Sequence, residues 1–145
     1  MPPARSPRAN AAWVTRSKVS HIEIKALVAD SSAKARKNII RSLKEIGVRN
    51  VAEATDGDQA IQLLQLGTYD VVFAEWNTQI NGGEELVKAF RKLDANVPII
   101  ITAPPSKKPA DLHKSCPNAS NYLTLPFTTE QLRKTVSEYV PSVAG

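Results

Sequence analysis

The chain has 145 residues, of which 42% are hydrophobic, and this composition allows one domain with a buried core. Its single cysteine excludes an intramolecular disulfide, and no His/Cys cluster suggests a zinc site. No apolar run approaches the roughly 20 residues that span a bilayer. The N-terminus is basic but lacks the apolar core of a signal peptide, so a cytoplasmic protein without membrane contact is expected.

The positive charge is concentrated at the N-terminus. The net charge is +5, yet from residue 19 onward 15 basic residues face 14 acidic ones. Residues 1–20 show no hydrophobic periodicity, which predicts a basic disordered arm. Such an arm can contact nucleic acid. No basic motif with interleaved aromatic residues supports that contact, so a solvated extension is favoured and nucleic-acid binding is kept as a distant alternative.

Strands and helices alternate after this arm. An apolar strand over 24–29 is followed by Asp30-Ser31-Ser32, a helix N-cap signal, and by a helix over 33–46 that Gly47 ends. The further predicted elements are a strand at 51–54, a helix at 59–66 after an Asp56-Gly57 turn, a strand at 71–75, a helix at 84–93, a strand at 97–102, a helix at 110–115, a strand at 121–125 and a last helix that Pro141 stops. Thr128 and Gln131 predict a capping box for that last helix.

Helical spacing also predicts which side chains point inward. The predicted inner faces are Ile39, Ile40, Leu43 and Ile46 in the first helix, Leu86, Val87, Phe90 and Leu93 in the third, and Leu132, Val136, Tyr139 and Val140 in the last. The other side of the first helix carries a basic stripe, which consists of Lys34, Lys37, Arg41 and Lys44. Two interpretations of this stripe remain open: an ordinary solvated surface and a docking surface for a partner.

The fivefold alternation predicts a doubly wound α/β fold. The expected architecture is a five-stranded parallel sheet of order 2-1-3-4-5, with one domain over residues 21–141 and a C-terminal tail over 142–145. No second domain is expected.

Polar residues follow the predicted strands at one edge of this sheet. Asp30 follows the first strand and Glu75 ends the third, and these two strands are expected to be neighbours. Two carboxylates beside a loop of free carbonyls favour a hard cation, and Mg²⁺ fits best. The alternative is that Asp30 only caps its helix while Glu75 is solvated.

The motifs along the chain resemble the CheY-like receiver domain of bacterial response regulators, which has a flavodoxin-like fold. The resemblance covers residues 25–140. It is carried by Leu27-Val28-Ala29-Asp30-Ser31, Glu53-Ala54-Thr55-Asp56-Gly57, Val72-Phe73-Ala74-Glu75-Trp76-Asn77, Asn81-Gly82-Gly83, Ile100-Ile101-Thr102-Ala103 and Tyr122-Leu123-Thr124-Leu125-Pro126-Phe127, in the same order and spacing.

The resemblance implies a phosphorylation site in which a central aspartate accepts a phosphoryl group with the help of Mg²⁺. Glu75 occupies the phosphoacceptor position. Asp30 matches the first metal-binding acid, Ser31 replaces the second, and Asn77 matches the residue whose carbonyl binds the metal. A weak or lost Mg²⁺ site is therefore expected at Asp30, Glu75 and Asn77.

The resemblance also implies a switch that reads the phosphoryl group. Thr102 and Tyr122 match its hydroxyl and aromatic members, whereas Leu125 replaces the lysine that would bind the phosphoryl group. Together with Glu75, this change favours a stand-alone pseudo-receiver that acts by protein–protein interaction.

Several alternatives remain open for this chain. It could be a working regulator that is phosphorylated on Glu75 with Mg²⁺, or Glu75 could imitate a phosphorylated aspartate. Expected partners are a histidine kinase, a phosphotransfer protein or a downstream effector. An enzyme is not expected, because the sequence has no Gly-rich phosphate loop and no Ser-His or Cys-His arrangement.

Overall fold

The computed structural model describes residues 24–78 and 85–143, so the predicted arm at 1–20 lies outside the described residues. Strands and helices alternate as predicted. The elements are β1 (Lys25–Ala29), α1 (Ala33–Glu45), β2 (Asn50–Ala54), α2 (Gly57–Leu66), β3 (Val71–Glu75), α3 (Leu86–Leu93), β4 (Ile99–Ala103), α4 (Pro109–Ser115), β5 (Asn121–Thr124), α5 (Thr129–Ser137) and a 3₁₀ turn (Pro141–Val143).

The five strands form one parallel sheet of order β2-β1-β3-β4-β5, which confirms the predicted fold class. β3 lies at its centre between β1 and β4. Its run from Val71 to Ala74 is fully buried, as expected for a strand that is covered on both faces. Because all strands run the same way, their carboxyl ends meet at one edge of the sheet.

Two separate apolar clusters cover the two faces of the sheet. On one face, Val72 and Ala74 of β3 pack with side chains of α2, α3 and α4, including Phe90 and Leu112. On the other face, Phe73 packs with side chains of α1 and α5. Helices on both faces make the domain doubly wound, as the alternation predicted.

Local signals fix most of the helix ends. Ser32 is the N-cap of α1, since its side chain accepts a hydrogen bond from the backbone N–H of Ala35 at 3.2 Å. Gly47 ends the helix with a φ of +96°, a conformation that favours glycine. The predicted capping box of Thr128 and Gln131 is present at α5.

Several predicted boundaries and one inward-facing residue were wrong. α2 begins at Gly57 rather than residue 59, because Asp56 is its N-cap and accepts from the N–H of Gln59 at 2.8 Å. Leu93 is 46% exposed, since α3 ends at this residue and no further turn covers it. β4 begins two residues later than predicted and extends to Ala103, and β5 ends at Thr124 instead of residue 125.

The C-terminal part also differs from expectation. α5 ends at Ser137, before Pro141, so Tyr139 and Val140 pack inward from the turn that follows the helix. Val143 is only 5% exposed and belongs to the core, although a tail was predicted from residue 142. No helix in the two described ranges is long and apolar enough to cross a bilayer.

Candidate functional site

Strand register brings three of the predicted site residues to one edge of the sheet. Ala29 of β1 pairs with Ala74 of β3, so Asp30 and Glu75 follow in neighbouring strands. Glu75 in turn pairs with Thr102 of β4. Asp30, Glu75 and Thr102 therefore line the same cleft, as their positions at strand ends predicted.

Asp30 is the most buried ionisable group of this cleft, with only 3% of its surface exposed. Burial raises the pKa of its carboxyl, and the nearby charge of Glu75 raises it further. The backbone N–H of Ser32, which donates to Oδ1 at 2.8 Å, and the charge of Arg36 lower that pKa. The helix cap is Ser32, so Asp30 does not serve as the N-cap.

Ser31 binds the carboxylate at the phosphoacceptor position. Its hydroxyl lies 3.1 Å and its backbone nitrogen 3.3 Å from Oε1 of Glu75, and both donate to that atom. Sequence reasoning treated Ser31 only as a missing acid and did not predict this pair of bonds. The sequence signal for these bonds was the combination of a hydroxyl side chain at Ser31 with a carboxylate at Glu75 that is longer than that of an aspartate.

The two predicted switch residues are not joined to each other in the structure. Thr102 is 1% exposed, and its Oγ1 has no hydrogen-bond partner among the described residues. The hydroxyl of Tyr122 donates to the carbonyl oxygen of Cys116 at 2.9 Å and lies 3.4 Å from Nδ1 of His113. Burial raises the pKa of this phenol. The roles of Cys116 and His113 beside Tyr122 were missed from sequence.

The position at which the resemblance implies a lysine is apolar. Leu125 follows β5, and its N–H donates to the carbonyl of Ala103 at 2.8 Å. The Leu125–Pro126 peptide bond is cis. Leu125, Pro126 and Phe127 line the cleft on this side without contributing a charge.

Trp76 directly follows Glu75 and also lines the cleft. Its backbone N–H donates to the carbonyl of Thr102 at 2.9 Å, and the Nζ of Lys107 lies 4.4 Å from the centre of its ring. This cation–π contact was not predicted, because Lys107 belongs to a proline-rich loop that is distant in sequence.

The cleft has a volume of about 530 Å³ and extends from the carboxylates toward α1. Lys34, Asn38 and Arg41 line it from that helix. Sequence analysis placed Lys34 and Arg41 on a basic stripe but did not connect them with the site. The other two members of the stripe, Lys37 and Lys44, do not line this cleft but line a second groove, which Arg41 also borders.

The carboxylate donors for a metal ion are few. Among the described residues, no three His, Cys, Asp or Glu side chains cluster closely enough to hold a metal. Asp30 and Glu75 supply two carboxylates, and Asn77 follows Glu75 in an exposed turn. Two carboxylates are a sufficient protein contribution for Mg²⁺, which keeps several water ligands.

Comparison with known proteins places this chain in a family. The sequence pattern described as "Response regulator receiver domain" matches residues 26–137. The chain is 26% identical to the chemotaxis protein CheY of Pseudomonas aeruginosa over 124 residues, which is 84% of this chain and 100% of that protein.

Solved structures share the fold. The receiver domain of AraT, a response regulator from Geobacillus stearothermophilus, superposes with a TM-score of 0.70 at 27% identity, covering 83% of this chain and 95% of that domain. The receiver domain of the sensor histidine kinase PA1611 from Pseudomonas aeruginosa, solved with magnesium in its active-site cleft, gives a TM-score of 0.70 at 20% identity, covering 81% and 98%. The chain therefore belongs to the response regulator receiver domain family and is a CheY-like receiver domain.

Proposed function

We propose that this receiver domain is a pseudo-receiver that signals by binding other proteins, with phosphorylation weakened or lost. The observation that carries the proposal is the pair of hydrogen bonds from Ser31 to Oε1 of Glu75. Where the family has a second acid to hold the metal, this chain has a donor that binds the phosphoacceptor carboxylate itself.

Two further substitutions act in the same direction. The carboxylate of Glu75 extends roughly 1.5 Å further than that of an aspartate, about one carbon–carbon bond. Errors of about 1 Å in the position of a reacting group can lower a rate about 100-fold, and in-line phosphoryl transfer depends on such positioning. Leu125 offers no charge to the phosphoryl oxygens.

Magnesium binding is proposed to be weak. Asp30, Glu75 and the carbonyl of Asn77 would hold the ion. When bound, Mg²⁺ would neutralise the two carboxylates and the charge of an incoming phosphoryl group. Ser31 supplies no carboxylate, so the site has one negative charge fewer with which to retain the ion. The hydroxyl of Ser31 donates to Glu75.

Proposed partners are a histidine kinase, a phosphotransfer protein or a downstream effector, and the domain itself is not proposed to be an enzyme. Two surfaces are candidates for these partners: the β4–β5–α5 face around Tyr122 and the basic stripe on α1. A cytoplasmic location without membrane contact is proposed. Nucleic-acid binding by residues 1–20 remains a distant alternative, tested by deleting residues 1–18.

The second candidate is a working phosphoacceptor that uses Glu75 with Mg²⁺. The favouring observation is Thr102, whose buried hydroxyl has no hydrogen-bond partner in the part of the chain that the structure describes and lies at the strand position beside Glu75. Such a hydroxyl is available to a phosphoryl oxygen. Asp30 would then be the principal metal-binding carboxylate.

Intact-mass measurement separates the two candidates. The full chain is incubated with Mg²⁺ and acetyl phosphate, and in parallel with a histidine kinase. The double variant Glu75→Asp/Leu125→Lys serves as the positive comparison and Glu75→Gln as the negative one. We expect an adduct of about 80 Da on the double variant and none on the unmodified chain. A stable adduct that maps to Glu75 would establish the second candidate instead.

A further inference from the structure

The cleft above Asp30 and Glu75 is larger than a metal ion and a phosphoryl group require. Its volume of about 530 Å³ falls within the range of roughly 300–1,000 Å³ that is typical of small-molecule sites. One wall is polar and consists of Lys34, Asn38 and Arg41, which share one face of α1 at i, i+4 and i+7 spacing.

Other residues that line the cleft are apolar or aromatic. Pro126 and Phe127 line it after β5, and Trp76, whose ring already contacts Lys107, lines it after β3. Leu125 extends this apolar surface at the position where the family has a lysine. The cleft therefore combines two cationic side chains with an apolar surface that is suited to a flat ring.

The charges of the cleft are arranged for an anion at the helix wall. Lys34 and Arg41 are exposed, and neither forms an ion pair with a residue in the described ranges. Nη2 of Arg41 donates to Oδ1 of Asn38 at 3.0 Å, which holds the guanidinium on this face. The carboxylates of Asp30 and Glu75 lie at the floor and repel an anion there, so a negative group is favoured beside α1.

We propose that this cleft binds a small organic anion that carries a flat apolar ring, without covalent chemistry. The anionic group lies between Lys34 and Arg41, and the ring packs against Pro126 and Phe127. The hydroxyl of Thr102, which has no hydrogen-bond partner among the described residues, also lines the cleft and can bond a polar atom of the ligand. This inference rests on the proposed function, because a cleft in which phosphorylation is weakened or lost is available to a noncovalent ligand.

A direct binding experiment tests this inference without kinase, phosphodonor or Mg²⁺. The ¹⁵N-labelled full chain is titrated with indole-3-acetate as a carboxylate and, separately, with phenyl phosphate as a phosphate. Indole-3-acetamide and tryptamine are controls that keep the ring and change the charge. We expect saturable shifts of α1 and Phe127 signals with at least one anion, and about tenfold weaker binding of the amide and the amine.

Two double variants with equal charge change locate the site. Lys34→Gln/Arg41→Gln removes the cations that line the cleft, whereas Lys37→Gln/Lys44→Gln removes the other two members of the same basic stripe. We expect about a tenfold loss of anion affinity in the first and less than about a twofold loss in the second.

Binding of either anion that meets these criteria supports the inference and identifies the preferred anionic group. The inference is overturned by a lack of saturable shifts with both anions, by equal binding of amide and acid, or by equal losses in the two double variants. None of these results bears on phosphorylation of Glu75, which the mass measurement decides separately.

Discussion

The hydroxyl of Ser31 donates to Oε1 of Glu75 across 3.1 Å, from the loop after β1 to the end of β3. This bond joins the two positions at which the chain departs from the acids of its family. With serine at position 31, a hydrogen bond to Glu75 takes the place of the repulsion between two carboxylates. The cleft also has one negative charge fewer with which to hold a cation.

Magnesium affinity should therefore depend on residue 31. In a Trp13→Phe background, where Trp76 is the remaining tryptophan, we expect Mg²⁺ to quench fluorescence only above about 1 mM or not at all. Ser31→Asp should tighten binding at least about tenfold by adding a carboxylate, whereas Ser31→Ala should not. Saturable binding in the micromolar range by the chain with Ser31 would contradict this prediction.

The buried carboxyl of Asp30 should make stability depend on pH. Its pKa in the folded protein is raised above 3.8, first by burial and then by Glu75. The unfolded chain therefore ionises first, and the destabilisation grows as pH rises from 3.8 to the folded pKa and stays constant above it. Asn at this position can still accept from Ser32, so Asp30→Asn should stabilise the metal-free protein at pH 7.

Thermal unfolding in EDTA measures this effect. We expect Asp30→Asn to gain about 1 kcal/mol at pH 7, or about 4 °C in Tm, with the gain shrinking as pH falls toward 4. Asp111→Asn, at an exposed position of α4, is the control for a change of net charge. A gain that is the same at all pH values would show that ionisation of Asp30 is not its cause.

Tyr122 should contribute to stability through its bond to Cys116. Tyr122→Phe leaves the carbonyl of Cys116 without this donor and should cost about 1 kcal/mol in urea unfolding. Tyr69→Phe is a matched control, because Tyr69 is half-buried and its hydroxyl makes no hydrogen bond to a described residue. Equal losses in both variants would mean that the ring environment, not the bond, sets the cost.

The fold was predictable because its signals are local. The elements and their order are specified by the buried run before Glu75, by the caps at Ser32 and Thr128, and by the change in hydrophobic periodicity between strands and helices. The edge shared by Asp30, Glu75 and Thr102 follows from parallel pairing alone. These features depend on neighbouring residues and on strand topology, both of which the sequence carries directly.

Other features required the three-dimensional arrangement. Whether Ser31 binds Glu75 depends on rotamers and on the separation of two loops. The cationic wall of the cleft depends on how α1 is rotated about its axis relative to Phe127. The inward packing of Val143 and the exposure of Leu93 depend on where each helix ends, which periodicity does not determine.

The hydroxyl of Thr102, for which residues 24–78 and 85–143 provide no hydrogen-bond partner, should lower the stability of the domain. A buried hydroxyl without a partner costs about 1–3 kcal/mol relative to an apolar group of the same shape. Thr102→Val keeps the shape and the β-branch, so we expect it to stabilise the protein by about 1 kcal/mol in urea unfolding, while Thr124→Val at an exposed position of β5 should have little effect. A loss of stability in Thr102→Val would show that the hydroxyl has a partner in solution. A gain would mean that the chain retains a destabilising polar group beside Glu75, as is typical of a residue kept for binding rather than for folding.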